Sequence, residues 1–163
     1  MAPNGPWWKG ERGEYYVLAQ FFLFALVVFG PRAFRGWSAW PVPYAAITSA
    51  AGFVLMLVGA ALSIGGVMRL GPNLTALPYP KDCSNLIESG PYAIVRHPIY
   101  SGLIIGALGY ALWVNGTLTL LYALVLFVFF DVKSRREETW LAEKFPGYAE
   151  YQARVRKLIP WVY

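Results

Sequence analysis

The feature that most constrains the fold of this chain is an apolar run at residues 44–68 that contains no Asp, Glu, Lys or Arg. A helix needs about 20 apolar residues to cross the hydrocarbon core of a bilayer, and this run is longer. Over the whole chain 57% of the residues are hydrophobic and 14% are charged, whereas soluble domains carry about 25% charged residues. The chain is therefore predicted to be an integral membrane protein.

Three further apolar blocks lie at residues 15–30, 98–114 and 117–130. Together with residues 44–68 they predict an all-α fold with about four transmembrane helices, in a single domain that takes in residues 1–163. Asn115 and Gly116 separate the last two blocks and favour a tight turn. We therefore expect these two spans to form an antiparallel helical hairpin.

The basic residues are distributed unevenly about the four blocks. If the N-terminus lies inside, all but two of the 14 Lys and Arg residues fall on one side, the exceptions being Arg32 and Arg35. An excess of Lys and Arg marks the cytoplasmic side of a membrane. We therefore predict that both termini are cytoplasmic, together with the polar regions at about residues 69–97 and 131–160. The C-terminal region is expected to form helices on that side. Membrane topology explains the net charge of +5 without nucleic-acid binding, and we expect the inner or plasma membrane of a prokaryote.

A polar cluster lies at residues 90–102, GPYAIVRHPIYSG, around the only histidine of the chain, His97. The residue before a proline is biased towards extended backbone, and proline suits the first turn of a helix. His97 is therefore expected just before the third span, where the free N–H groups of the helix start favour an anion. The alternative is that Arg96 and His97 anchor the helix at the lipid headgroups.

A second polar cluster, RREE at residues 135–138, follows the fourth span. No helix-breaking residue occurs at 131–144, so this span is predicted to continue as a helix out of the membrane. Asp131 lies next to the apolar run and is expected to need a partner. The alternative is a solvated helix face with local ion pairs. Because the hairpin brings both clusters to one side, they are expected to converge under the long polar loop.

The segment after Phe145, Pro146 and Gly147 carries apolar residues at spacings of three and four. The spacing predicts an amphipathic helix that Pro160 ends, lying on the membrane or capping the site. Cys83 is the only cysteine, so neither an intramolecular disulfide nor a zinc site is expected, and no metal site is predicted.

Residues 90–102, taken with RREETWLAEKFPGYAEYQARVRKLIP at 135–160, resemble the isoprenylcysteine carboxyl methyltransferase family, which belongs with the membrane phospholipid methyltransferases. The resemblance extends over about residues 70–160 and rests on the combination of RHPxY, EExxL and a terminal YxxY…IP. It implies that S-adenosylmethionine binds on the cytoplasmic side and that a lipophilic acceptor enters from the bilayer. The FPGY segment at 145–148 is one residue shorter than the FGxxYxxY pattern common in the family, which leaves the role of Tyr148 open.

The resemblance also implies a set of site residues. Those expected to bind the cofactor are Tyr92, Arg96, His97, Tyr100, Gly102, Glu137 and Glu138. Arg96 and Glu138 are in addition expected to be catalytic. Arg96 and His97 suit the carboxylate of S-adenosylmethionine, and either glutamate suits its ammonium or ribose hydroxyls. The glycine-rich strand–helix turn that holds this cofactor in soluble methyltransferases is not found in the sequence.

The favoured acceptor is the carboxylate of an isoprenylcysteine, which is ionised near neutral pH and needs no general base. Methyl transfer then depends on in-line positioning and the exclusion of water. A phospholipid amine is the alternative acceptor; it would require deprotonation by a glutamate or His97. Two other functions are weighed against these, namely a nicotinamide-dependent membrane reductase relative and a non-enzymatic membrane binding protein.

Overall fold

The computed structural model describes residues 9–35, 40 and 44–163; the other residues of the predicted domain lie outside the described ranges. The described chain has no β-strand and is built from the helices α1 (Glu14–Phe29), α2 (Tyr44–Leu70), α3 (Pro98–Trp113), α4 (Thr117–Lys144) and α5 (Tyr148–Arg154). The predicted all-α class is confirmed. The first three helices begin and end within two residues of their predicted apolar blocks, and α4 continues to Lys144 as predicted.

Two helices of the described chain are long and apolar enough to cross a membrane, namely α4 and α2 with the turn that extends it to Asn73. The helices α1 and α3 are apolar as well but have 16 residues each. Large apolar side chains are exposed on these helices; Phe21 is 61% exposed and Phe22 64%. Such a surface suits contact with lipid rather than water.

The helices α2 and α3 pack closely through glycines. Gly52, Gly59 and Gly66 are the buried residues of α2. A Cβ at Gly59 would lie 2.5 Å from the carbonyl oxygen of Gly102 and 2.6 Å from the backbone nitrogen of Gly106. Small residues permit this close backbone approach, and it fixes the start of α3 against α2.

The opposite face of α3 packs against α4, and α1 packs against α4 in turn. The buried residues of this core are Val27, Ile104, Ala107, Ala123, Leu126, Phe130 and Leu158. Phe130 is the last buried apolar residue of α4, since the buried residues after it are Lys133 and Ser134. From Asp131 onward α4 therefore carries the polar residues past the core and towards the site.

The predicted C-terminal helix is wrong beyond Arg154, where α5 ends. The next residues are extended, and Arg156 forms an isolated parallel bridge with Val95. The backbone N–H of Arg96 donates to the carbonyl of Arg156 at 2.8 Å, and that of His97 to Lys157 at 3.2 Å. These bonds require extended backbone, which the β-branched Val155 also favours over helix.

Asp131 has the partners that its position demands. Its carboxylate accepts hydrogen bonds from Lys157, from the hydroxyl of Tyr163 at 2.9 Å and from Nε of Arg135 at 2.9 Å. The contacts tie the C-terminal segment to α4, as its bonds with Arg96 and His97 tie it to the start of α3.

Candidate active site

A cavity of about 310 Å³ lies where α3 begins and α4 leaves the apolar core. Gln20 of α1 and several residues of the loop between α2 and α3, among them Asn73, Thr75, Ser84 and Asn85, line one part of it. The polar or aromatic residues that α3, α4, α5 and the segment before α3 contribute are Tyr92, Arg96, His97, Tyr100, Lys133, Glu137, Tyr148 and Tyr151. The two polar clusters and the long loop thus meet at one site, as expected.

Glu138 connects three elements behind the wall of this cavity. Its Oε1 accepts from Nε of Arg96 at 2.7 Å and lies 3.0 Å from Nε2 of His97, while Oε2 accepts from Gln152 at 3.2 Å. A carboxylate can only accept, so this nitrogen of His97 carries a hydrogen. Burial alone would raise the pKa of Glu138, but the hydrogen bonds from His97 and Arg96 outweigh burial and lower the pKa to about 2.

The charge of Arg96 is already engaged in this arrangement. Besides Glu138, its guanidinium donates to the backbone carbonyls of Gln152, at 3.3 Å, and Val155. Its side chain is 11% exposed, as is that of Glu138. Arg96 therefore fastens the end of α5 to α4 while it forms part of the cavity wall.

Glu137 lies on the cavity side of α4. Its Oε2 accepts from the hydroxyl of Tyr100 at 2.7 Å, and Nδ1 of His97 lies 4.0 Å from the same oxygen. The ring of Tyr100 stacks on His97 at a centroid distance of 5.4 Å and on Phe130 at 4.6 Å. This stack holds Glu137 beside the imidazole, with its side chain 24% exposed.

Tyr148 is 1% exposed, and its hydroxyl has no hydrogen-bond partner in the structure. Burial, followed by the negative charge of Glu138, raises the pKa of its phenol. The hydroxyl is therefore a protonated donor near neutral pH. Tyr148 lines the cavity even though the FPGY segment at 145–148 is one residue shorter than the family pattern. Tyr92 also lines the cavity, and burial, followed by Glu137, raises the pKa of its phenol too.

Gly102 and Glu138 are the two predicted site residues that do not line the cavity. A Cβ at Gly102 would collide with the carbonyl oxygen of Gly59 and with Ser63. Gly102 thus lies in the α2–α3 interface, and Glu138 contacts the cavity only through Arg96 and His97.

Sequence reasoning missed Lys133 as a site residue. Its ammonium donates to Oε1 of Gln20 at 2.6 Å and to the carbonyl of Ala76 at 3.1 Å, and lies 5.1 Å from the ring centroid of Tyr100. The signal was present, because Lys133 precedes Glu137 by one helical turn and so shares its face of α4. The loop residues were missed because no periodic pattern marks which of them turn inward.

The loop is fastened over the site from α4. The ammonium of Lys144 donates to the carbonyls of Lys81 and Asp82 and to the hydroxyl of Ser84. Within the loop, the side chain of Asn73 bonds the backbone of Asn85 in both directions, at 3.2 and 3.4 Å. These contacts hold the loop residues that line the cavity.

Residues 47–147 match the profile of the phospholipid methyltransferase family. The chain belongs to that family. The match includes the start of α3, the glutamate pair on α4 and the loop that lines the cavity. All predicted site residues lie within it.

Two curated relatives show the breadth of this phospholipid methyltransferase family. The chain is 34% identical over 119 residues to a protein-S-isoprenylcysteine O-methyltransferase of Schizosaccharomyces pombe, an alignment of 71% of this chain and 50% of the relative. It is 35% identical over 78 residues to the cobalt-zinc-cadmium resistance protein CzcN of Cupriavidus metallidurans, with 47% of this chain and 36% of the relative aligned. The chain thus spans half or less of the length of these relatives.

The fold has a solved counterpart in the eukaryotic intramembrane Ras methyltransferase ICMT, an isoprenylcysteine carboxyl methyltransferase. The TM-score is 0.66 at 22% identity, and the superposition covers 98% of this chain and 54% of that one. At this identity the likeness shows the shared helical fold.

Proposed function

We propose that this chain is a membrane methyltransferase that uses S-adenosylmethionine and methylates the carboxylate of an isoprenylcysteine-like acceptor at the cytoplasmic membrane face. The observation that carries the proposal is the cavity, which combines the carboxylate of Glu137 with the buried, unpartnered hydroxyl of Tyr148. Membership of the phospholipid methyltransferase family and the isoprenylcysteine methyltransferases among its relatives support the same reaction.

The residues present fit S-adenosylmethionine. A volume of about 310 Å³ is at the lower end for small-molecule sites. Glu137 suits the ammonium or the ribose hydroxyls, because charge-assisted hydrogen bonds to carboxylates are strong. Tyr148 and Tyr92 offer protonated hydroxyls to acceptor atoms of the cofactor. When bound, the cofactor supplies the activated methyl group; the chain contributes orientation and the exclusion of water.

The roles of three predicted residues change in this proposal. Glu138 and Arg96 act as positioning residues, since their charges are engaged with each other, with His97 and with the end of α5. They influence the reaction indirectly, because they orient His97 and hold the end of α5 in place. Gly102 serves the packing of α3 on α2.

The four apolar helices α1 to α4 are proposed to span the membrane, with α3 and α4 as a hairpin and both termini cytoplasmic. The exposed phenylalanines of α1 and the distribution of the basic residues support this arrangement. The helices α1 and α3 are short for a span. Polar residues at their ends would extend each to the interface.

A carboxylate acceptor is favoured over an amine because an ionised carboxylate needs no base, whereas an ammonium has to lose a proton to one. Glu137 is the only carboxylate that lines the cavity in the described chain. If Glu137 binds the cofactor, His97, whose Nε2 is engaged with Glu138, is the candidate base that remains for an ammonium. A phospholipid amine is the second candidate, supported by the description of the family as phospholipid methyltransferases.

The proposal is tested with purified protein in nanodiscs and S-adenosylmethionine that carries a labelled methyl group. The acceptors are an N-acylated S-farnesylcysteine and phosphatidylethanolamine. We expect label in the first, released as methanol by base, because an ester is base-labile. Base-stable label in phosphatidylethanolamine would show that the acceptor is an amine and not a carboxylate. If the protein does not bind the cofactor in calorimetry, the methyltransferase proposal fails and a non-enzymatic or nicotinamide-dependent function takes its place.

A further inference from the structure

Lys133 is a buried cation in the cavity wall that the proposed cofactor contacts leave unused. It is 1% exposed, and its ammonium is oriented by two uncharged oxygens, those of Gln20 and Ala76. The face of the Tyr100 ring lies 5.1 Å away. Both oxygens come from elements other than α4, so the position of the ammonium is fixed from two sides.

No carboxylate lies within 4.0 Å of this ammonium in the described part of the chain. Glu137 is one turn further along α4, but its carboxylate accepts from Tyr100 and faces His97. By contrast Lys157, the other buried lysine, is paired with Asp131. The charge of Glu137 acts on the ammonium only from a distance. A buried charge with no counter-charge in contact is costly, so the cavity at Lys133 favours an anionic ligand.

The position of Lys133 indicates which ligand this is. Lys133 is three residues beyond Phe130, where the buried apolar part of α4 ends. Its partner Gln20 is followed on α1 by Phe21 and Phe22, which are 61% and 64% exposed and face lipid in the proposed arrangement. The ammonium thus lies at the boundary where an acceptor anchored by an apolar chain carries its polar head.

We propose that Lys133 binds the carboxylate of the methyl acceptor and selects acids over amines. This inference rests on the proposed function and deepens it. The cation attracts an ionised carboxylate and repels an ammonium. Transfer forms a bond from a carboxylate oxygen to the methyl carbon and breaks the carbon–sulfur bond, whose electron pair stays on sulfur. The ester product is uncharged, so its attraction to Lys133 ends with the reaction.

The experiment measures acceptor KM, kcat and the cofactor Kd in the full-length protein and in K133M, with K133R and the exposed-site variant K9M as comparisons. In K133M we expect KM for N-acylated S-farnesylcysteine to rise at least tenfold. The value of kcat should change less than threefold, since an ion pair to the ground-state carboxylate aids binding more than transfer. K133R should recover part of the affinity, and K9M should match the natural protein.

A second measurement uses the natural protein with the carboxamide of the same acceptor as inhibitor. We expect its inhibition constant to exceed the acceptor's by tenfold or more, and this difference to vanish in K133M. Equal affinity for acid and amide would overturn the inference even if K133M did not fold. An unchanged KM in K133M, or a loss of cofactor affinity as large as the loss of acceptor affinity, would overturn it as well. No transfer by the natural protein to the acid would instead reject the proposed function, and this inference with it.

Discussion

Glu137 and Glu138 are neighbours in the sequence, yet their carboxylates lie in different environments. Glu138 accepts from Arg96 and lies within hydrogen-bond distance of His97 behind the cavity wall. Glu137 accepts from Tyr100 and lines the cavity. Successive side chains of a helix point about 100° apart, so adjacent glutamates can serve a structural and a ligand-binding role at the same level of α4.

The first prediction concerns Glu137. In E137Q the amide oxygen can still accept from Tyr100, so the thermal midpoint of the free protein should change little. The loss of the charge should weaken S-adenosylmethionine about 10- to 100-fold, as charged hydrogen bonds contribute about 1.5–3 kcal/mol. Calorimetric titration checks this, with E143Q, an exposed glutamate on the same helix, as control. An E137Q protein that binds the cofactor normally would remove Glu137 from the cofactor site.

The second prediction concerns the pH dependence of stability. The pKa of Glu138 is lowered from 4.5 to about 2 in the folded protein. Its contribution, on the order of 3 kcal/mol, is therefore present above pH 4.5 and is lost as the pH falls towards 2. E138Q should unfold at a lower temperature than the natural protein at pH 7, and the difference should shrink between pH 4.5 and 3. Thermal melts in detergent that ran parallel over this range would contradict the expectation.

The features that could be predicted from the sequence are those that local composition and short turns determine. Long apolar runs and the proline after His97 predicted where the helices begin and end, because these depend on local composition. The two polar clusters were placed together because a short turn links α3 to α4.

The errors arose where long-range contacts override local pattern. The spacing of apolar residues after Tyr148 predicted a helix to Ile159, but the helix ends at Arg154, and Arg156 and Lys157 pair with the backbone of Arg96 and His97 instead. Sequence could not separate the environments of Glu137 and Glu138, because these depend on which face of α4 meets the loop and α5. The spacing of Lys133 and Glu137 places both on one face of α4, but it does not say that this face lines the site.

The third prediction concerns Tyr148. Its buried hydroxyl has no partner, so Y148F removes a desolvated polar group and should leave the free protein as stable as before or more stable. The cofactor Kd should rise about 3- to 10-fold, because one hydrogen bond to the cofactor is lost. Y151F is the matched control, because the Tyr151 hydroxyl donates to the carbonyl of Tyr92 at 2.7 Å. Y151F should lower stability by about 1 kcal/mol. If Y148F bound the cofactor with unchanged affinity, the unpartnered hydroxyl of Tyr148 would have no part in cofactor binding.

The fourth prediction concerns the loop that lines the cavity. K144M removes the hydrogen bonds to Lys81, Asp82 and Ser84, so residues 81–84 should become more accessible to protease and the cofactor should dissociate faster. Limited proteolysis at Lys81 and stopped-flow release of the cofactor measure these effects. K9M serves as the control for the loss of a lysine elsewhere. If residues 81–84 stayed protected from protease and the cofactor dissociated at an unchanged rate, Lys144 would not be what holds this loop over the cavity.

The last prediction separates two glycines on α3 that share a GxxxG spacing. A Cβ at Gly102 would collide with the backbone of Gly59 across the α2–α3 interface, whereas a Cβ at Gly106 meets nothing within 4 Å. G102A should therefore destabilise the protein by about 1–3 kcal/mol, the usual cost of overpacking. G106A should be neutral or stabilising by up to about 1 kcal/mol, because alanine favours helix over glycine. Thermal midpoints in one detergent test both. Equal effects of the two substitutions would contradict the packing of α3 on α2, and with it the placement of His97 at the cavity.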